Sequence, residues 1–340
     1  MNKYIMPAEW ESHEATWLSW PHYEPHWPGK LELVPYVYAE IIRALIPSEK
    51  VYVCVNDAVM EKEARRVLAE KNVSFADGQV RFFHIPTNAS WIRDNGPIFV
   101  RDDAGKLVIT DWIHNAWGGQ WPYELDDVVP QKVGAALDIP VIQTHRVLEG
   151  GSIDVNGKGT LLTTEQCLLN LNRNPGMNKT KIEAMLREHF GATHVLWLKD
   201  GVVGDDTSGH VDDIARFVNE TTVVCAVEKN KADENYQALQ NNFDLLKTMT
   251  DQDEKPFTVI PLPMPAPVIH QNRRLPASYA NFYIGNTRVL VPTFCCPQDE
   301  RAIEILKPLF PGREIMGIDC TDLIWGLGAL HCSTQQQPKK

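Results

Sequence analysis

No run of 18 or more apolar residues occurs in this 340-residue sequence, so no membrane span is expected. C-x-x-C is also missing. Seven cysteines are present (Cys54, Cys167, Cys225, Cys295, Cys296, Cys320 and Cys332), an odd number in a long chain. A disulfide framework or a zinc knuckle is therefore a poor reading. The first seven residues, Met1 to Pro7, lack the apolar stretch of a signal peptide, which makes a cytoplasmic protein with reduced thiols the expectation. Basic residues are in short supply, 33 against 44 acidic, for a net charge of -11. A nucleic-acid partner is not expected, while a cationic ligand is compatible with that sign. No G-x-G-x-x-G follows a strand and no P-loop is present, which weakens nucleotide binding. Pro-rich and Ser/Gly-rich linkers are absent. With 44% hydrophobic and 23% charged residues, the chain is neither disordered nor coiled coil. At roughly 150 residues per domain, the length allows one large domain or two ordinary ones.

What is present is a repeated local pattern. Six times, a stretch with 3.6-residue apolar periodicity leads through a turn into a short β-branched run: 31–46 into 51–55, 58–70 into 80–85, 128–137 into 140–144, 179–190 into 194–198, 233–247 into 257–260, and 298–306 into 314–318. Further strands are expected at 97–100 and 107–110, joined by the hairpin turn Asp102-Asp103-Ala104-Gly105, and at 160–163 and 222–225. This alternation predicts an α/β fold, and its recurrence suggests a modular ring or stack, with a doubly wound sheet as the alternative.

Four segments concentrate chemically capable side chains beside glycine. Trp91-Ile92-Arg93-Asp94-Asn95-Gly96-Pro97 contains strong turn chemistry. It also offers Trp91, whose face can wall a site for a planar cation, and Asp94, which can pair with that cation. Leu148-Glu149-Gly150-Gly151-Ser152 places the carboxylate of Glu149 beside paired glycines, which let backbone approach a ligand or merely form a turn. The segment 205–213 holds four aspartates and His210 just before an apolar run. It reads as a solvated acidic loop, as a general acid whose cationic form the carboxylates favour, or as a metal site of His and Asp. In extended backbone His210 and Asp212 would point to the same side. Against the metal, no second histidine stands in this segment, and the His22/His26 pair is interrupted by Pro25.

The fourth segment is Gly326-Leu327-Gly328-Ala329-Leu330-His331-Cys332-Ser333-Thr334. The other six cysteines lie in or beside apolar segments and read as inert fillers. Cys332 has a Gly-rich approach and a polar flank. His331 should face away from it in extended backbone, leaving His210 as the expected partner. A thiol needs a nearby cation to ionise at neutral pH. Cys, His and Asn would suit acyl transfer, but here carboxylates are in excess. Carboxylates repel an oxyanion and grip a guanidinium bidentately. The combination points to thiol attack on a guanidinium carbon.

The sequence resembles the agmatine deiminases, within the family that includes the Porphyromonas-type peptidylarginine deiminases and, more widely, the guanidino-group-modifying (pentein) superfamily. The resemblance runs in order through Met6-Pro7-Ala8-Glu9-Trp10, the 91–97 segment, Asn115-Ala116-Trp117-Gly118-Gly119, 148–152 and Asn172-Arg173-Asn174-Pro175. It continues through Gly209-His210-Val211-Asp212, the stretch 277–284 and 331–338. It implies a five-bladed α/β propeller of ββαβ modules about a pseudo-fivefold axis, a single catalytic domain over 1–340. The repeated local pattern gives more units than five. The resemblance further implies no metal and no organic cofactor. Cys332 would be the nucleophile forming an amidino-cysteine, His210 the general acid/base, and Asp94, Glu149 and Asp212 the guanidinium carboxylates, with Trp91 walling the channel. The implied partner is a small cationic guanidino substrate, with a homo-oligomer possible. The implied reaction takes agmatine to N-carbamoylputrescine and ammonia, a step toward putrescine.

Two segments depart from the family pattern. Gly326-Leu327-Gly328-Ala329-Leu330 stands where Gly-Gly-Gly-Asn-Ile is usual. His22-Tyr23-Glu24-Pro25-His26-Trp27 stands where Arg and Asp-Asn-Trp are usual. Both bear on what binds the far end of the substrate. Peptidylarginine deimination is therefore the nearest alternative, followed by a metal-dependent hydrolase built on His210 and its aspartates, and a guanidino-binding protein without turnover. None of the four segments offers a cation for a substrate carboxylate except Arg93, which is expected to face away from Asp94.

Overall fold

The computed structural model describes residues 4–74 and 78–340. Five of its six sheets repeat one connection: two antiparallel strands, a crossover helix, and a strand returning parallel to the second. Ile98–Asp102 and Leu107–Ile113 form the antiparallel pair of one unit, and Val129–Leu137 leads to the parallel strand Val141–Val147. The next unit uses Asp154–Val155, Thr160–Thr164, the helix Lys179–Phe190 and His194–Leu198. Ala215–Asn219, Thr222–Val227, Tyr236–Leu246 and Thr258–Pro263 follow. Then come Tyr283–Ile284, Arg288–Thr293, Gln298–Leu306 and Glu314–Asp319. The last unit joins the two ends of the chain: Gln335–Pro338 pairs antiparallel with His13–Ser19, and Val34–Leu45 crosses to Lys50–Val55.

All six helix–strand pairs expected from the sequence form. The surplus over five has a simple origin. Ala58–Glu70 leads to Val80–His84, which adds a fourth strand beside Lys50–Val55 and starts no new unit. The expected 102–105 hairpin also forms.

Local chemistry explains these elements. Val34–Leu45 buries Val34, Tyr38, Ile41, Ile42 and Leu45 at helical spacing, giving one apolar stripe against its sheet. Asp57 caps Ala58–Glu70 by accepting from the amides of Val59 and Met60, both at 2.9 Å. Gly191 closes Lys179–Phe190 at φ 71°, a left-handed conformation that glycine adopts without a Cβ penalty. Val51 to Val55 are all buried, as suits a parallel strand covered on both faces.

This architecture positions the site. Each unit is entered by a short connection leading into its first strand. Asp94 lies on the turn Ile92–Asn95 before Ile98, and Glu149 precedes the turn Gly150–Ser152 before Asp154. His210 and Asp212 lie at the turn Val211–Asp213 before Ala215, Asn281 just before Tyr283, and Cys332 just before Gln335. The five connections thus deliver residues far apart in sequence to one place.

Candidate active site

The site is layered, and the outer layer is electrically complete. Glu9 is wholly enclosed. Its Oε2 accepts from Arg216 Nη2 at 2.9 Å and lies 3.5 Å from Arg93 Nη2 and 2.8 Å from His331 Nε2, while Oε1 accepts the Ile284 amide at 2.7 Å. Burial alone would raise this carboxyl, but Arg216, His331 and Arg93 together hold it well below the usual carboxylate range. Arg216 also meets Asp154 at 3.3 Å. Arg93 faces away from Asp94, as expected, donating to Gln335 and Gln336 at 2.7 Å each.

The inner layer is incomplete. Glu149 accepts from Arg173 Nε through Oε1 at 2.7 Å, but its Oε2 is buried with no hydrogen-bond partner. Asp212 Oδ2 lies 2.7 Å from His331 Nδ1 as the acceptor, and its buried Oδ1 has no partner. Asp94 accepts the Gly151 amide and the Trp117 indole N–H, each at 2.9 Å. Neither Asp94 nor Asp212 pairs with a lysine or arginine among the described residues. His210 lies 3.7 Å from Asp94 Oδ2 and 4.0 Å from Glu149 Oε2, with both ring nitrogens unpartnered. Burial opposes its charge, yet Asp94, Cys167 and Glu149 outweigh burial and hold its pKa well above the ordinary histidine value. Burial raises Asp94 as well, with Asp212 and Glu149 adding to it and His210 opposing. Buried polar groups are rarely left unpaired, and two bare carboxylate oxygens beside a bare imidazole leave room for a missing donor.

Cys332 sits at the edge of this layer. Asn281 Nδ2 lies 3.1 Å from its Sγ and 3.0 Å from Asp213 Oδ1, while Asn281 Oδ1 accepts the amides of His331 and Cys332. One side chain therefore fixes the turn and donates to the sulfur. Asp212 Oδ2 is 3.7 Å from Sγ. Burial, reinforced by Asp212, Asp213 and Asp94, pushes the thiol well above its usual range. His210, the expected partner of Cys332, makes no hydrogen bond to the sulfur; its neighbours are Asp94, Glu149 and Cys167. Above Cys332 opens a cavity of about 310 Å³ whose wall includes Asp94 and four tryptophans, Trp91, Trp117, Trp121 and Trp325.

The structure brings together Cys332, His210, Asp94, Asp212 and Glu149, with Trp91 on the wall as expected. Two backbone readings change. His210 and Asp212 share a tight turn, not extended backbone, yet their side chains converge as expected, a Cβ at Gly151 standing within 3.0 Å of both. Cys332 and His331 also sit in a turn. Cys167, read as an inert filler, is packed in an apolar cluster, and its thiol also lies beside Glu149 and His210, the three ligand atoms within 4.8 Å of one another. Cys295, read as part of an apolar segment, is exposed.

A model of the Porphyromonas-type peptidyl-arginine deiminase family matches residues 5–338. The chain belongs to this family. An agmatine deiminase of Ectopseudomonas mendocina is 36% identical over 98% of this chain and 95% of its own. Among solved structures, the agmatine deiminase of Enterococcus faecalis superposes with a TM-score of 0.90 at 32% identity, covering 99% of this chain and 96% of that one. A Cys-to-Ser variant of the C. jejuni agmatine deiminase with substrate bound gives 0.89 at 34% identity, with the same coverage.

Within this member of the family, the residues sequence reading passed over are those whose work is contact. Trp117, Asn281 and Arg173 stood in the resembling motifs, but nothing in a linear sequence shows that an indole reaches Asp94 or that an amide reaches Cys332. Trp117 is presented by backbone at φ 53°, following Ala116 at φ 50°. Positive φ at two consecutive non-glycine residues is strain that the Asp94 bond and the Asn115 cap must hold. Arg273, from outside the four segments, lines the cavity.

Gly151 gives a direct test of this packing. A Cβ there would stand 2.6 Å from His210 Nδ1, 2.9 Å from Asp94 Oδ1 and 3.0 Å from Asp212 Oδ2. Gly151→Ala is expected to remove deiminase turnover while leaving the far-ultraviolet circular dichroism unchanged. Wild-type activity in this variant would mean that the three groups are not held at these positions during reaction.

Proposed function

We propose that this protein is an agmatine deiminase, hydrolysing the guanidinium of agmatine to N-carbamoylputrescine and ammonia. The observation that carries the proposal is the pair of unpartnered buried oxygens, Glu149 Oε2 and Asp212 Oδ1, set with Asp94 around His210 beside the Cys332 thiol. A planar cation with several N–H donors answers all three carboxylates, whereas an acyl group, bearing no donor, answers none. The agmatine deiminases among the relatives support the same substrate.

In the proposed sequence the guanidinium displaces the need for a proton on Cys332, whose thiol releases it to solvent. The thiolate attacks the guanidinium carbon, forming the C–S bond. His210, held as imidazolium, gives its proton to one nitrogen as that C–N bond breaks and ammonia leaves. The S-alkylthiouronium on Cys332 is then attacked by a water whose proton returns to His210. Collapse breaks the C–S bond to give the ureido product, the last proton passing to the thiolate or solvent. Asn281 Nδ2 is placed to donate to sulfur while it is anionic. His331 positions Asp212 from behind. The step consumes agmatine and supplies a precursor of putrescine.

The five repeated connections support a five-bladed arrangement, one blade per ββαβ unit about a common axis, with the site where the entering segments meet. The joining of both chain ends in one sheet supports reading 1–340 as a single catalytic domain. The seven free thiols and the absence of a helix long and apolar enough to cross a membrane, among the described residues, support a cytoplasmic location. A homo-oligomer is compatible with this reading.

Agmatine is expected to exceed free arginine by at least about 10²-fold in kcat/KM, because a carboxylate added to this acidic site would be poorly paired. An ammonia-release assay on agmatine, arginine and a blocked peptidyl-arginine measures this. Equal values on the first two would assign the carboxylate to Arg273 and overturn the substrate, and a preference for the peptide would favour peptidylarginine deimination.

A second expectation concerns protonation. In the free protein Cys332 stays a thiol through neutral pH, its stability as a thiol being lost only above the ordinary range. Chloroacetamidine, a cation, should therefore alkylate Cys332 at pH 7 faster than neutral chloroacetamide by at least about tenfold, normalised to a free thiol, since one pKa unit is tenfold. Equal normalised rates would show that an incoming cation does not control the thiol.

A further inference from the structure

His26 is a buried polar group that the reaction at Cys332 leaves unused. It lies in the segment 22–27 that departs from the family pattern, and it lines the same cavity as Cys332 and Asp94. It is 6% exposed, and neither ring nitrogen has a hydrogen-bond partner. Aromatic rings surround it: Trp121 and Tyr23 stand edge-on at centroid distances of 4.7 and 5.0 Å, and Trp27 and Trp91 lie at 5.8 and 6.3 Å. Burial, helped by His22, pulls its pKa down to about 4, so at neutral pH the ring is uncharged and one nitrogen is a free acceptor.

The ring's place along the cavity matters as much as its chemistry. Trp91 connects it to the reacting end. One edge of that indole meets Gly328, where a Cβ would stand 2.8 Å from Trp91 and 3.0 Å from the Cβ of Cys332. The centroid of the same indole lies 6.3 Å from that of His26, the rings tilted by 36°. Trp91 thus borders both His26 and the Cys332 loop, and all three line one cavity. The wall of the cavity also carries Asp206 and Arg273. Burial raises the Asp206 carboxyl to about 6, with Asp205 adding to it, and Arg273 offsets its charge. A cationic group in this cavity therefore meets a compromised carboxylate, several indoles and one unengaged imidazole.

We propose that His26 forms a subsite for a primary ammonium at the far end of the substrate, accepting a hydrogen bond from it while Trp91 and Trp121 supply cation–π contact. The proposal rests on the reading that the guanidinium is held at Cys332. It makes the histidine in this departing segment a determinant of substrate choice, favouring a guanidine whose tail ends in an amine over one whose tail ends in a methyl group.

The test compares agmatine with n-butylguanidine, which has the same four-carbon tail without the amine. Wild type, His26→Phe and His26→Asn are assayed for ammonia release. Dissociation constants are measured by calorimetry in the Cys332→Ser background, where binding is read without turnover. Wild type should prefer agmatine by at least about tenfold. His26→Phe, which keeps the aromatic volume, should lose that preference through KM and Kd on agmatine while changing butylguanidine less than about threefold. His26→Asn, which restores an acceptor, should keep most of the preference. Equal binding of the two ligands by wild type, or parallel loss on both in His26→Phe, would overturn the subsite. Wild-type failure to release ammonia from agmatine, with tight binding intact in the Cys332→Ser background, would instead overturn the proposed reaction.

Discussion

The structure depends on keeping negative charge buried without neutralising all of it. Isolated buried carboxylates are costly, and the usual remedy is an arginine for each. This fold supplies that remedy selectively. Arg93 and Arg216 converge on Glu9, Arg216 also serves Asp154, and Arg173 takes one oxygen of Glu149. Asp94 and Asp212 receive only neutral donors or histidine. The remaining charge is a standing demand for a cation: it raises His210 against burial, adds to burial in raising the Cys332 thiol, and goes with the two bare oxygens.

The same constraint explains why the site is assembled from so many parts of the chain. A guanidinium presents donors around the rim of a plane, so acceptors must approach from several directions. Successive residues of one loop cannot do this. Five connections, each entering a different sheet, can. Gly151 is the point where three of the groups come closest, and only hydrogen in place of a side chain fits there. Glu9, near the start of the chain, and His331, near its end, meet because Gln335–Pro338 pairs with His13–Ser19. Sheet closure and electrostatics therefore serve one another.

Much of this was legible from the sequence, for identifiable reasons. Periodicity located all six helix–strand pairs because each helix has one apolar stripe and each strand is a short β-branched run. The strand Gln335–Pro338 was invisible to that reasoning. Its glutamines carry no strand signal and are buried because Arg93 and Trp17 bond to them. Cys332, His210 and the carboxylates stood out as candidates by their density beside glycine, while their roles came from the family resemblance. Contacts were not legible. Nothing in the order of residues shows Asn281 beside the sulfur, Cys167 beside His210, or Arg273 on the cavity wall. His26 stood out only as a departure from the family pattern, and its unpartnered ring nitrogens became visible in three dimensions.

The most direct measurement of the central claim is to stop the reaction of wild-type protein and agmatine with acid during turnover and map the modified peptide by mass spectrometry. An adduct retaining the amidino carbon of agmatine, attached to Cys332 and absent from a Cys332→Ser control, is the predicted result. An adduct on Cys167 or any other cysteine, or ammonia release by Cys332→Ser at the wild-type rate, would contradict it.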